Sequence, residues 1–147
     1  SLWLRVPLTA DATTNGPAYN LNIYDPCSVY PAAPLDVATG FTLDVARIPR
    51  PYGLAHDIVK LRHHYNVTPH GELMVTAGCP VKDDKAAKPV TVATFPLPDP
   101  ATAPARFRFT GTLPKLAGDH DLCFQFTSPT SDPLYAVERA TLTETAR

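Results

Sequence analysis

The sequence has little charge, little glycine and no long apolar run. Asp, Glu, Lys and Arg make up 18% of its 147 residues, against about 25% in an average domain. Acids and bases nearly cancel, 14 against 13, for a net charge of -1. A nucleic-acid binder or a polybasic membrane-surface protein needs a basic surplus, so neither partner is expected. No stretch approaches the ~18 apolar residues of a transmembrane helix. The 7 glycines are scattered singly, which excludes a glycine-rich phosphate loop. The 3 cysteines, Cys27, Cys79 and Cys123, form no Cys-x-x-Cys pair, which excludes zinc-ribbon and thioredoxin motifs. No cofactor is implied.

What the sequence has in excess is proline. Its 17 prolines are more than twice the usual share of about 5%. Proline breaks helix interiors and, in sheets, sits at edges and turns, so an all-helical fold is excluded. The chain is nevertheless 44% hydrophobic and its apolar residues are patterned, which argues against disorder. Its length fits one domain, residues 1–147, with a core that needs no staples. It begins at Ser1 with a strand-like run and no initiator methionine. That is expected of a piece processed or excised from a longer chain, cut near a domain boundary.

Eight short segments alternate apolar and polar residues: 2–6, 19–24, 41–45, 72–76, 90–95, 105–109, 122–126 and 135–142. Pro, Gly, Asn and Asp bound them, as turn residues bound strands. The pattern predicts an all-β fold, a two-sheet β-sandwich of the jelly-roll kind with about eight to nine short antiparallel strands. Leu21, Ile23, Leu43, Val45, Leu73, Val75, Phe107, Phe109, Leu122, Phe124 and Val137 are its expected inward residues. Segment 54–67 fits a helical stripe and a strand face alike, and the β-rich context favours extended structure. Segment 80–90 reads as a charged, solvated loop and 96–104, with four prolines, as a stiff surface connection.

Few residues suggest chemistry. No helix-spaced His-Glu-His set exists for zinc, and the adjacent acidic pair Asp83-Asp84 lies in a lysine-flanked loop without the apolar wall that an acid catalyst needs. No serine has a nucleophile-elbow context. No catalytic residue is therefore assigned. Three disulfide pairings are open; Cys27 and Cys79, each beside a proline near a strand end, are the favoured pair. The tyrosines gather at strand ends and loops. A ring with a polar handle there can stack on a sugar while neighbouring polar groups take the hydroxyls. Tyr24, Asp25 and Tyr30, in the segment Tyr24-Asp25-Pro26-Cys27-Ser28-Val29-Tyr30, are the candidate carbohydrate-binding residues.

Two stretches carry a resemblance. The run Gly118-Asp119-His120-Asp121-Leu122-Cys123-Phe124-Gln125-Phe126-Thr127, leading through Asp132-Pro133-Leu134-Tyr135-Ala136-Val137, resembles the closing strands of family 6 carbohydrate-binding modules. The run Asn22–Tyr30 and the Leu54-Ala55-His56-Asp57 region resemble the C-terminal accessory domain of bacterial β-N-acetylhexosaminidases of glycoside hydrolase family 20. The resemblance spans most of the chain and matches all three cysteines. It adds Tyr135, where that family carries an aromatic residue, to the candidate sugar contacts. It departs at Ser28 and Tyr30, where the family tends to carry tryptophan, and the catalytic Asp-Glu dipeptide of the family occurs nowhere. The resemblance therefore implies a non-catalytic accessory domain, periplasmic or secreted. Its partners would be glycans containing N-acetylglucosamine and the catalytic domain of the same parent chain. The alternative is a structural or protein-interaction sandwich that binds no sugar.

Overall fold

The computed structural model describes residues 3–7, 18–22, 27–48, 67–79, 89–127 and 133–145. Among them are nine strands and no helix: β1 (Trp3–Pro7), β2 (Ala18–Asn22), β3 (Cys27–Pro34), β4 (Gly40–Ile48), β5 (Glu72–Ala77), β6 (Val90–Pro96), β7 (Arg106–Thr112), β8 (Asp119–Phe126) and β9 (Leu134–Thr143). Seven of these build two antiparallel sheets, ordered β3-β8-β5-β6 and β7-β4-β9, and β1 pairs with β2 in a separate ribbon. The all-β sandwich expected from the alternation is the fold, with seven strands in the sandwich itself. Segments 54–66 and 80–88 lie outside the described residues.

Each of the eight alternating segments coincides with a strand over its described residues. The ninth, β3, carries Pro31 and Pro34, which masked it. It is an edge strand, where proline is tolerated, and its pairing with β8 shifts register between Tyr30 and Ala33. At that bulge Ala32 adopts φ 51°, left-handed backbone that costs a residue with a Cβ about 1 kcal/mol. The Asp121 carboxylate holds it by accepting the Ala32 N–H at 2.9 Å.

The core lies between the sheets. Leu43 and Val45 of β4 meet Leu73 and Val75 of β5 and Leu122 and Phe124 of β8, all fully or nearly fully buried. Phe107, Phe109 and Val137, also expected inward, are half-buried against this cluster. A continuous file of rings crosses the interface. Phe41 meets Phe95 edge-on, and Phe95 stacks on Phe109 at 4.6 Å between centroids. Phe109 meets Phe107, Phe107 meets Tyr135, and Tyr135 stacks on Phe126. The rings come from β4, β6, β7, β8 and β9, so the file joins both sheets. Gly111 makes room for it: a Cβ there would lie 2.6 Å from the Phe41 ring and 3.1 Å from that of Phe95.

Two clamps secure β5 and β8 on the face away from the core. The chain leaves β5 through Gly78, at φ 84°, whose N–H donates to the Asp121 carbonyl at 2.7 Å. Cys79 then forms a disulfide with Cys123, with Cα atoms 5.3 Å apart. This corrects the expected Cys27–Cys79 pair. Cys123 sits opposite Thr76, near the end of β5 from which Cys79 follows, whereas Cys27 lies opposite Gln125 on the far side of β8. A bond closing a loop of this size stabilises by about 2–4 kcal/mol.

The second clamp is Glu72, a carboxylate only 2% exposed. It accepts the N–H groups of Val67 and Thr68 at 3.1 and 3.0 Å, and the Thr68 hydroxyl donates to it. Its own N–H donates to the Thr127 hydroxyl at 2.8 Å. Burial pushes the Glu72 pKa up, but the hydrogen bonds from Thr68 and Val67 outweigh it and hold the group below its ordinary value.

A lowered folded pKa means stability that is present above the unfolded value, about 4.3, and lost as pH falls through the folded one. Thermal melts from neutral to acid pH should therefore show stability falling below about pH 5. Glu72→Gln should cost about 1–3 kcal/mol at neutral pH and flatten that acid limb; an unchanged limb would assign it to other carboxylates. Gly111→Ala should cost about 1–3 kcal/mol by overpacking the ring file, measured by urea unfolding, and a neutral result would mean that the Phe41 ring yields.

Candidate functional site

Strand alternation that turns Phe41, Leu43 and Val45 inward turns Thr42 and Asp44 outward. The same alternation turns Arg106, Arg108 and Thr110 of β7 outward while Phe107 and Phe109 enter the ring file. The register then sets these residues in rows across β7-β4-β9. Thr110 lies opposite Thr42, and Thr42 opposite Thr141; Arg108 lies opposite Asp44, and Asp44 opposite Arg139.

A bulge in β9 sharpens the arrangement. Asp44 pairs with Arg139 and Val45 with Val137, so Glu138 is the extra residue. Its carboxylate accepts the Arg106 Nε–H at 2.7 Å across the central strand. Asp44 accepts the Arg108 Nε–H at 2.8 Å, and this hydrogen bond, with the charge of Asp44, raises the Arg108 pKa. The arginines remain well exposed, at 55% for Arg106 and 66% for Arg108. Together Asp44, Val45, Arg106, Phe107, Arg108 and Glu138 line an open depression of about 360 Å³.

The site can bind, position and exchange hydrogen bonds. Guanidinium forks and carboxylates face each other on a rigid sheet, with hydroxyls one row along. Among the described residues no group of three His, Cys, Asp or Glu side chains is placed to hold a metal ion.

Of the residues expected from the sequence, Tyr30 and Tyr135 do not line this depression. Tyr24 and Asp25 fall outside the described residues. Tyr30 is half-buried against the core. Tyr135 is 8% exposed and sits between Phe107 and Phe126 in the ring file; a ring so placed serves packing and offers no face to a sugar. The sequence reading missed Asp44, Arg106, Arg108, Glu138 and Arg139. Alternation places Asp44 and the β7 arginines outward, but nothing local says that these three strands are neighbours.

Comparisons with protein-family models and with curated protein sequences find no match. Solved structures do match. The chain superposes on a glycoside hydrolase family 43 arabinoxylan arabinofuranohydrolase from Bacillus subtilis, solved with cellotetraose, at a TM-score of 0.56 and 14% identity, covering 97% of this chain and 24% of that one. It superposes on a family 6 carbohydrate-binding module from Clostridium cellulolyticum, solved with xylose, at a TM-score of 0.51 and 14% identity, covering 96% and 90%. The chain thus spans about a quarter of the hydrolase and most of the module. These likenesses define the fold as a β-sandwich of the carbohydrate-binding-module kind.

Because exposed ion pairs add little stability, Arg108→Ala should leave the melting temperature nearly unchanged. A loss as large as that of Gly111→Ala would make the pair a structural element instead.

Proposed function

We propose that this chain is a non-catalytic carbohydrate-binding module, the accessory domain of a glycoside hydrolase. The observation that carries the reading is the open depression on β7-β4-β9, where carboxylates and guanidinium groups converge on a sandwich of the carbohydrate-binding-module kind. Polar groups fixed at short spacing are what hold sugar hydroxyls in orientation. Asp44 and Glu138 are each engaged by an arginine on an open face, an arrangement suited to recognition rather than to the enclosed acid–base chemistry of a glycosidase.

The parent enzyme, in this reading, is a β-N-acetylhexosaminidase acting on glycans that contain N-acetylglucosamine, as the resemblance at Asn22–Tyr30 implies. The Cys79–Cys123 disulfide supports a periplasmic or secreted location, since such bonds persist in oxidising compartments. The module would work by proximity: a weak sugar contact raises the local substrate concentration for the attached catalytic domain.

Calorimetry and amide-shift titration with chito-, xylo- and hyaluronan oligosaccharides test the reading. Saturable binding to at least one, with shifts around Thr42, Asp44 and Arg108 and a loss of about tenfold or more in Asp44→Ala, is the expected result. Absence of binding to all of them at millimolar concentration would leave a structural or protein-interaction sandwich as the better account.

A further inference from the structure

The ligand class follows from the groups that the described face presents. Phe41 on β4, Phe107 and Phe109 on β7 and Tyr135 on β9 all belong to the inward ring file. Among the described residues the outward face of this sheet presents no aromatic ring. Capture of a neutral pyranose by stacking its C–H face on a ring finds no platform there among the described residues.

The face offers charge instead. Arg108, Asp44 and Arg139 stand directly opposite one another on three adjacent strands. Neighbouring strands lie about 4.8 Å apart, which separates the two arginine backbones by about 10 Å. More than one sugar unit can bridge that span. Asp44 engages Arg108 through Nε and so restrains its orientation, while the Arg108 side chain stays 66% exposed. Arg139 is exposed and makes no ion pair among the described residues. Guanidinium forks of this kind match a carboxylate bidentately.

Asp44, between the two arginines, repels a second anion and accepts a hydroxyl. The parallel row Thr110–Thr42–Thr141 adds hydroxyls that both donate and accept. The row therefore suits a ligand that carries carboxylates at intervals with hydroxyls between them. A uniform polyanion would set charge against Asp44.

We propose that the Arg108–Asp44–Arg139 row binds glycans bearing uronic acids, with the sugar carboxylates on the two arginines and a sugar hydroxyl on Asp44. The inference rests on the sugar-binding reading above and narrows its ligand class.

The test titrates the whole chain with hyaluronan and glucuronoxylan oligosaccharides, each also as its carboxyl methyl ester. Chito-oligosaccharide serves as neutral control and polyglutamate as non-sugar polyanion. At least one acid form should bind about tenfold or more tighter than its ester and weaken as ionic strength rises. Replacing both arginines, Arg108→Gln with Arg139→Gln, should abolish the preference for acid over ester while amide spectra of the core stay unchanged. Equal binding of acid and ester, a preference kept by the double variant, or polyglutamate binding as tightly as the acid sugar would each overturn the inference. Binding of chito-oligosaccharide alone would overturn it and leave the sugar-binding reading standing; binding of no sugar would end both.

Discussion

The file of six rings between the sheets is the constraint from which the rest of the arrangement follows. Rings as large as phenylalanine must be removed from water, and each such burial is worth about 1.5–3 kcal/mol. Because a strand has period two, committing Phe107 and Phe109 to the file commits Arg106 and Arg108 to the opposite face. The same holds for β4, where Phe41, Leu43 and Val45 inward leave Thr42 and Asp44 outward. A slip of one residue would bury two arginines and expose two phenylalanines. The core thus sets the chemistry of the surface, and sets it rigidly.

The two sheets divide the work. The four-stranded sheet carries the fastenings: the Cys79–Cys123 disulfide, the buried Glu72 carboxylate with its donors at Val67 and Thr68, and the Asp121 contact that holds Ala32. These groups sit at strand ends and bulges, where backbone hydrogen bonds would otherwise go unmet. The three-stranded sheet is fastened differently: Arg47 of β4 donates to the Pro100 and Ala103 carbonyls at 3.0 and 3.4 Å, and Thr39 accepts the Thr145 N–H at 3.1 Å. The ion pairs of Asp44 and Glu138 lie on its open face, and the rings join it to the core.

How much of this was legible in the sequence depends on the range of the interaction. Alternation is local, so all eight period-two segments coincide with strands over their described residues, and Leu43, Val45, Leu73, Val75, Leu122 and Phe124 are buried where the pattern put them. β3 was missed because Pro31 and Pro34 speak for a loop, whereas an edge strand with a bulge accommodates both. Which strands are neighbours is not local. Cys79 finds Cys123 only because β5 lies beside β8, and Asp44 meets Arg108 and stands opposite Arg139 only because β4 lies between β7 and β9. Tyr135 was a candidate only through the family resemblance, and its ring lies between Phe107 and Phe126 in the core file.

The ion pairs of the open face make most sense as devices of orientation. Pairs so exposed gain little Coulomb energy in water and restrict two long side chains. Their contribution to folding is correspondingly small. What Asp44 and Glu138 do supply is direction: each takes the Nε edge of an arginine and limits the sweep of its fork. A guanidinium already held loses less conformational entropy when a ligand arrives. The bulge at Glu138 serves the same end, because it is the extra residue in β9 that lets a carboxylate reach Arg106 across the central strand. With an overall charge of -1 the chain exerts little net long-range pull on a polyanion, so that recognition at this face depends on the spacing of charges in the ligand more than on their number.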